Sequence, residues 1–341
     1  MSINRILRQL GTLDLLENDI LREDAYILDW LLKDCTTGQN IIWATNDYEE
    51  LGKGYGSKDQ ILPELVTGDC TLVIQPRIAK SIQEQERRTR QKAEVFTPSW
   101  VCNKQNNLVD SAWFRRRNAG FNQEIDGDSH SWTAEKKPVR FTKRKTWKSY
   151  VRALRMEIAC GEAPYIASRY DTVTGNIIPV EERIGLLDRK LRVVTENTDG
   201  DREQWRYWAL IALQSIYGYE YQGDNVLLAR ENILWTIKDF YAHAFNAEVP
   251  QIFFRHCAEV VAWNIWQMDG LKYVIPESCH DIDNGNDFFG NTIIPTMCPG
   301  CAKNVVAKHN GIRCKIMSWR SHKQCYFMPP FSFEPVKEDK K

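Results

Sequence analysis

Two acids and one run of small residues stand where a bound molecule would need them. Ala159-Cys160-Gly161 follows the apolar stretch "RALRMEI", and its small or absent side chains let backbone approach a ligand closely. Glu220 closes "IYGYE", where a carboxylate can accept both hydroxyls of a ribose through its two oxygens. Asp269, in "WNIWQMDGL", can accept a hydrogen bond from an adenine amino group. Neither a Walker loop nor a complete G-x-G-x-x-G occurs in the chain. A nucleoside held without a phosphate cradle points to S-adenosylmethionine rather than to ATP or NAD.

A second group has metal chemistry. Pro and Gly in "CPGC" bend the chain so that Cys298 and Cys301 aim at one ion, and "HKQC" adds His322 and Cys325. The spacing C-x2-C-x20-H-x2-C is close to that of a tetrahedral zinc ribbon. Cys314 or His309 can take the place of His322. Four protein ligands leave no open position, so such a zinc is structural or supports nucleic-acid binding. Cys279 and His280 in "SCHD" are neighbours in sequence, which does not by itself predict a nucleophile and its base.

The elements that must position these groups read as α/β. "RALRMEI", "IYGYE" and a short segment near Asp269 read as strands. "REQWRYWALIALQSI", "DNVLLARENILWTIKDFY" and "IFFRHCAEVVAWN" have the spacing of amphipathic helices, with Asp224 or Asn225 capping the second, and "RIGLLDRKLRVV" reads as an inserted helix. This alternation predicts a doubly wound, mostly parallel sheet over residues 91–290, with ligands at the carboxyl ends of the strands. Residues 1–90 read as mainly helical, with short strands in "NIIWATNDYEELG" and "CTLVIQPRI". Residues 82–93 form a charged helix that runs into Phe96-Thr97-Pro98, a rigid turn after which Ser99 can cap the next helix. Residues 118–150 read as a long basic loop, and 291–341 as a small zinc-ribbon-like module.

The totals bound the partners. The chain has 341 residues, 43% hydrophobic and 26% charged, with zero formal net charge. Between Arg87 and Arg155, however, seventeen Lys or Arg face six Asp or Glu. Positive charge concentrated in a neutral protein suits a polyanion and equally an ordinary solvated surface; the resemblance described next makes that polyanion double-stranded DNA. No apolar run is long enough to span a bilayer and the first residues lack a signal-peptide core, so a cytoplasmic protein without a membrane partner is expected. Ten cysteines, mostly isolated, argue against a disulfide framework.

Taken in order, "AEVFTPSWVCNKQNNLVD", "EIACGEAPY", "IYGYEYQGDNVLLARENIL" and "WNIWQMDGL" resemble the modification subunit of bacterial restriction–modification systems, the adenine-specific N6 DNA methyltransferases. The resemblance covers about residues 85–275. It implies that Phe96, Thr97 and Pro98 pack over the methionine part of S-adenosylmethionine. Glu157 then takes the acid position of a loop commonly written Asp-Pro-Ala-Cys-Gly-Ser-Gly, Ala159, Cys160 and Gly161 match it, and Ala163 replaces its later glycine. Glu220 takes the ribose-binding acid and Asp269 the adenine contact. A specificity or restriction subunit is the implied partner. One part of the pattern is absent: the chain has no Asn-Pro or Asp-Pro dipeptide to begin the Asn/Asp-Pro-Pro-Tyr/Phe loop that grips the target amine. "FMPPF" puts Met328 where an acceptor is needed. The alternative is a non-catalytic DNA-binding or assembly protein that keeps the fold without the chemistry.

Overall fold

The computed structural model describes residues 17–92, 97–125, 128–285, 294–328 and 332–335. The first helix, α1 (Glu17–Leu32), consists of two pieces joined at Asp24, which leaves helical geometry while its carboxylate binds Arg255 and Gln251. From residue 33 to 80 the chain is turns, 3-10 segments and one short helix, Pro63–Val66, so of the expected helical region the described part is helical mainly at Glu17–Leu32 and from Ile82 onward. Nor is "CTLVIQPRI" a strand. It runs between 3-10 turns at Gly68–Cys70 and Arg77–Ala79, and "NIIWATNDYEELG" contributes two isolated bridges, Asn40 to Lys33 and Ile42 to Gln60, but no strand.

Helix α2 (Ile82–Lys92) and helix α3 (Ser99–Phe114) flank the Phe-Thr-Pro turn. Ser99 is the first residue of α3 rather than its cap, and its N–H is met by the Asp171 carboxylate at 2.7 Å. The basic region is not a structureless loop. It holds an antiparallel hairpin of β1 (Asn122–Ile125) and β2 (Asp128–Ala134), followed by a helical turn at Trp147–Val151.

Three parallel strands come next, side by side in chain order: β3 (Arg155–Ile158), β4 (Ile216–Glu220) and β5 (Ile265–Gln267). Helices α4 (Leu186–Asn197) and α5 (Arg202–Gln214) precede β4. Helices α6 (Gly223–Phe245) and α7 (Gln251–Asn264) connect it to β5. Asp201 caps α5 by accepting from the N–H groups of Glu203 and Gln204. Helix α6 is buried on nearly all sides from Gly223 to Ile237, which is why its apolar residues do not keep to one stripe. Inside it Arg230 is satisfied by four carbonyls, those of Leu31, Lys33, Ala262 and Ile265.

Strand alternation divides the sheet's two faces. Ile216 and Ile265 belong to the large core with the helices, and Gly218 abuts Cys160 and Ile166 on that side. Tyr217 and Trp266 point the other way, onto Cys314, Ile316 and Phe327. Ile316 and Phe327 belong to a second antiparallel sheet, β6 (Lys315–Ser318), β7 (Lys323–Met328) and β8 (Ser332–Pro335), and Cys314 immediately precedes it. A doubly wound fold would carry helices on both faces. Here the described residues give a mixed α/β chain whose second sheet face is covered by β6 and β7. Each fully buried aromatic in that contact stabilises by roughly 1.5–3 kcal/mol.

Candidate functional site

The carboxyl ends of β3 and β4 open into a cavity of about 1000 Å³. Glu157, Ala159, Cys160, Gly161 and Glu220 all line it, as does Thr97 from the start of α3. The turn after β3 is left-handed at alternate residues, with φ of 47° at Ala159, 53° at Gly161 and 60° at Ala163. Non-glycine residues held there cost on the order of 1 kcal/mol, so tertiary contacts must impose the bend. The position where the loop pattern has glycine, Ala163, adopts a glycine-like conformation.

Glu220 is the clasp of this turn. Its Oε2 accepts from Gly161 N–H at 2.8 Å, and its Oε1 from Tyr221 N–H at 2.8 Å and Gln222 N–H at 3.3 Å. Burial raises its carboxyl above the usual range despite these three donors. Glu157 is less well served. Its Oε1 has a long contact of 3.4 Å from Tyr165 N–H, the Ile166 N–H also favours the charged carboxylate, and its Oε2 is buried with no hydrogen-bond partner among the described residues. Burial pushes this carboxyl well above its usual range, and nearby Glu220 adds to the shift. A buried acceptor without a donor is costly in the protein alone and is relieved by a ligand that brings a donor.

The raised carboxyl has a testable consequence. The native state holds the Glu157 proton to higher pH than the unfolded chain, so its contribution to stability falls as pH climbs from 4.5 through the folded value. Glu157→Gln is therefore expected to melt with wild type near pH 4 and a few degrees higher at pH 8. Parallel melting profiles across that range would remove the assignment.

The remaining expected residues divide. Cys160 is buried, and burial together with Glu157 and Glu220 drives its thiol well above the usual value, so it is a packing residue and no nucleophile. Pro98 caps α3 with its carbonyl and does not line the cavity. Phe96 lies outside the described residues. Asp269 is not on the lining. Its carboxylate closes its own turn by accepting from Leu271 and Lys272 N–H, and it pairs with Lys272 Nζ at 3.2 Å. On the outer wall Glu277 stands instead, eight residues on, in the "KYVIPESC" segment. Asn46 also lines the cavity, from a segment with no chemical pattern of its own. Hydrogen bonds from Gly223 N–H to Trp43 carbonyl and between Ile42 and the Gln267 carboxamide bring it there. Gly223 is needed for that approach, since a Cβ would lie 2.1 Å from the Ile42 carbonyl oxygen.

The basic region splits as well. Arg115 to Arg117, Lys136, Lys137, Arg140, Lys143, Arg144, Lys148 and Arg152 are exposed. Arg88 is fully buried, bound to Asp47, Gln222 and Asp224. Arg88 of α2 thus faces inward as an anchor, Arg90 of the same helix is exposed, and the charge after α3 faces solvent.

The metal-capable cluster is made of Cys279, Cys298, Cys301 and His309, whose ligand atoms all lie within 4.8 Å of one another. His309 Nδ1 is 3.6 Å from Cys279 Sγ, 3.8 Å from Cys298 Sγ and 3.6 Å from Cys301 Sγ. Tetrahedral zinc with Zn–S near 2.3 Å and Zn–N near 2.0 Å places its ligands roughly 3.5–3.8 Å apart, so the donor set and spacing fit. Gly300 makes the knuckle possible, because a Cβ there would fall 2.4 Å from His309 N. His322 and Cys325 are not members. His322 is exposed in the β6–β7 turn, and Cys325 is buried on β7 opposite Ile316. Cys314 is in the apolar contact beneath the sheet. Of the sequence pattern, the Cys298–Cys301 knuckle and the alternative ligand His309 stand. Cys279 was hidden by a gap of eighteen residues.

What the fold and site define is a mixed α/β protein with an acid-lined cavity at the ends of parallel strands and a separate site able to hold a metal ion such as zinc. No protein-family model, curated protein or solved structure matches the chain. No described helix is long and apolar enough to cross a membrane.

Proposed function

We propose that the cavity binds S-adenosylmethionine and that the chain is an adenine-N6 DNA methyltransferase-like subunit of a restriction–modification or related defence system. The observation that carries this reading is the meeting of Thr97, Glu157, Ala159, Cys160, Gly161 and Glu220 on one cavity of about 1000 Å³, roomy enough for a nucleoside with its substituent. The unpartnered Oε2 of Glu157 calls for a ligand donor such as an ammonium group. Glu220, at the strand end, faces the same space.

The group missing from the sequence pattern is an acceptor for the target amine, and Asn46 supplies it. Among the cavity's carboxamides only Asn46 and Gln105 are exposed. Asn46 is followed by two anchored residues: Asp47 binds Arg87 and Arg88, and Tyr48 donates to Asp224 at 2.7 Å. Such anchoring holds a reacting group in place. The amine of a flipped adenine, held by a hydrogen bond to the Asn46 carboxamide oxygen, would attack the sulfonium methyl in line; the methyl–sulfur bond breaks to release S-adenosylhomocysteine, and the methylated nitrogen gives its proton to solvent. The exposed lysines and arginines between Arg115 and Arg152 would follow the phosphates of double-stranded DNA. A specificity or restriction subunit would complete base recognition. The lack of an Asn/Asp-Pro-Pro-Tyr/Phe loop favours a second reading, a non-catalytic DNA-binding or assembly protein.

Calorimetry with S-adenosylmethionine tests the cofactor, and methyl transfer to mixed-sequence duplex DNA decides between the readings. Glu220→Ala is expected to weaken cofactor binding about 100-fold, since hydrogen bonds to a charged group contribute about 1.5–3 kcal/mol each. Glu220→Gln keeps one acceptor and should lose less. A wild-type protein that binds no S-adenosylmethionine ends the proposal.

A further inference from the structure

One piece of chain serves both sites. Glu277 lines the cavity, and Cys279, two residues on, belongs to the metal-capable cluster. Between residues 273 and 282 there is no regular helix or strand, only isolated bridges at Val274 and Ile282. Tyr273 and Glu277 both have left-handed backbone, φ 59° and 61°, which non-glycine residues hold only when their surroundings impose it.

Those surroundings are residues 310–312, immediately after His309. Ile275 N–H donates to the Ile312 carbonyl at 2.8 Å, and Ser278 Oγ accepts from Ile312 N–H at 3.0 Å. His280 N–H donates to Asn310 Oδ1 at 3.2 Å, and the Asn310 amide donates back to the His280 carbonyl. Gly311 fits between Ser278, Val274 and Cys279, where a Cβ would come within 2.6 Å of Ser278 Oγ. The segment that carries Glu277 is thus tied to the chain just after His309, while Asp269, Arg313 and Cys314 hold its start at residues 273 and 274.

We propose that zinc held by Cys279, Cys298, Cys301 and His309 is a clamp that fixes Glu277 on the cavity wall, so that ligand affinity depends on metal occupancy. By linkage, a ligand in the cavity raises zinc affinity by the same factor. The inference takes its probe, S-adenosylmethionine, from the function proposed above.

The test uses the full chain purified without chelator. Its zinc content, hydrogen exchange over 273–282 and over 216–220, and S-adenosylmethionine affinity are measured before and after zinc removal. Cys301→Ser should lose zinc and Cys301→His should keep it. Expected results are a single zinc per chain and faster exchange at 273–282 on stripping, with 216–220 still protected. Affinity should fall about tenfold or more and return on adding zinc back. Glu277→Gln should weaken binding with zinc retained. No zinc in the wild type, or unchanged exchange at 273–282 after stripping, overturns the clamp. Loss of protection at 216–220 also overturns it, because the metal would then hold the whole fold. If the zinc-loaded wild type binds no S-adenosylmethionine, the ligand assignment fails while the exchange measurement still decides the clamp.

Discussion

Asn46→Ala is expected to bind S-adenosylmethionine as the wild type does and to transfer methyl groups to DNA roughly 100- to 1000-fold more slowly. That is the usual size of the loss when one positioned hydrogen-bonding group at the reacting centre is removed. The cavity keeps its acids in this variant, and Asp47 and Tyr48 still anchor the segment through Arg88 and Asp224. Asn46→Asp retains an oxygen acceptor and should recover part of the rate. The measurement is single-turnover methyl transfer at saturating cofactor, which separates chemistry from binding. Wild-type turnover in Asn46→Ala would move the role away from this residue, with Gln105 the next carboxamide to examine.

Arg88→Ala should be the most destabilising single change near the cavity, costing about 3–5 kcal/mol, as removal of one partner from a buried ion pair generally does. Arg88 reaches Asp224 at 2.7 Å, Gln222 at 3.1 Å and Asp47 at 3.1 Å, and neither its side chain nor that of Asp224 is exposed. Lys80 stays paired with Asp224 at 3.4 Å in this variant, which places the expected cost toward the lower end of that range. Arg88→Lys should rescue only partly, because one ammonium cannot span three partners. Burial alone would raise the Asp224 carboxyl, but Arg88 and Lys80 hold it well below the usual range. The sign follows: a depressed carboxyl stabilises above its unfolded value of 3.8 and loses that contribution as pH falls toward the folded value. The wild type should therefore lose stability in acid more steeply than Arg88→Ala, as read by denaturant unfolding at pH 7 and pH 3. Equal midpoints for the two proteins at pH 7 would remove the network from the stability argument.

Much of the cavity was legible because it uses local chemistry. The turn at Ala159-Cys160-Gly161 and the acid at Glu220 end strands whose apolar pattern is plain, and strand ends of a parallel sheet lie together by construction. Asp269 failed because the strand before it stops at Gln267, which leaves the carboxylate to close its own turn. Glu277 and Asn46 had no local sign. They arrive through contacts with partners far away in sequence, residues 310–312 for one and Gly223 and Gln267 for the other.

The sequence by itself determined the order of strands and helices from 155 to 267, the knuckle at Cys298 and Cys301, and the local excess of positive charge. Those are properties of periodicity, short spacing and composition, which need no knowledge of what packs on what. Tertiary structure decided which side of α2 the arginines serve, which fourth and third ligands join the knuckle, and what covers the Tyr217 and Trp266 face of the sheet. Each of those depends on segments tens to hundreds of residues apart meeting in space. Side-chain burial selects such meetings, and no local pattern records them.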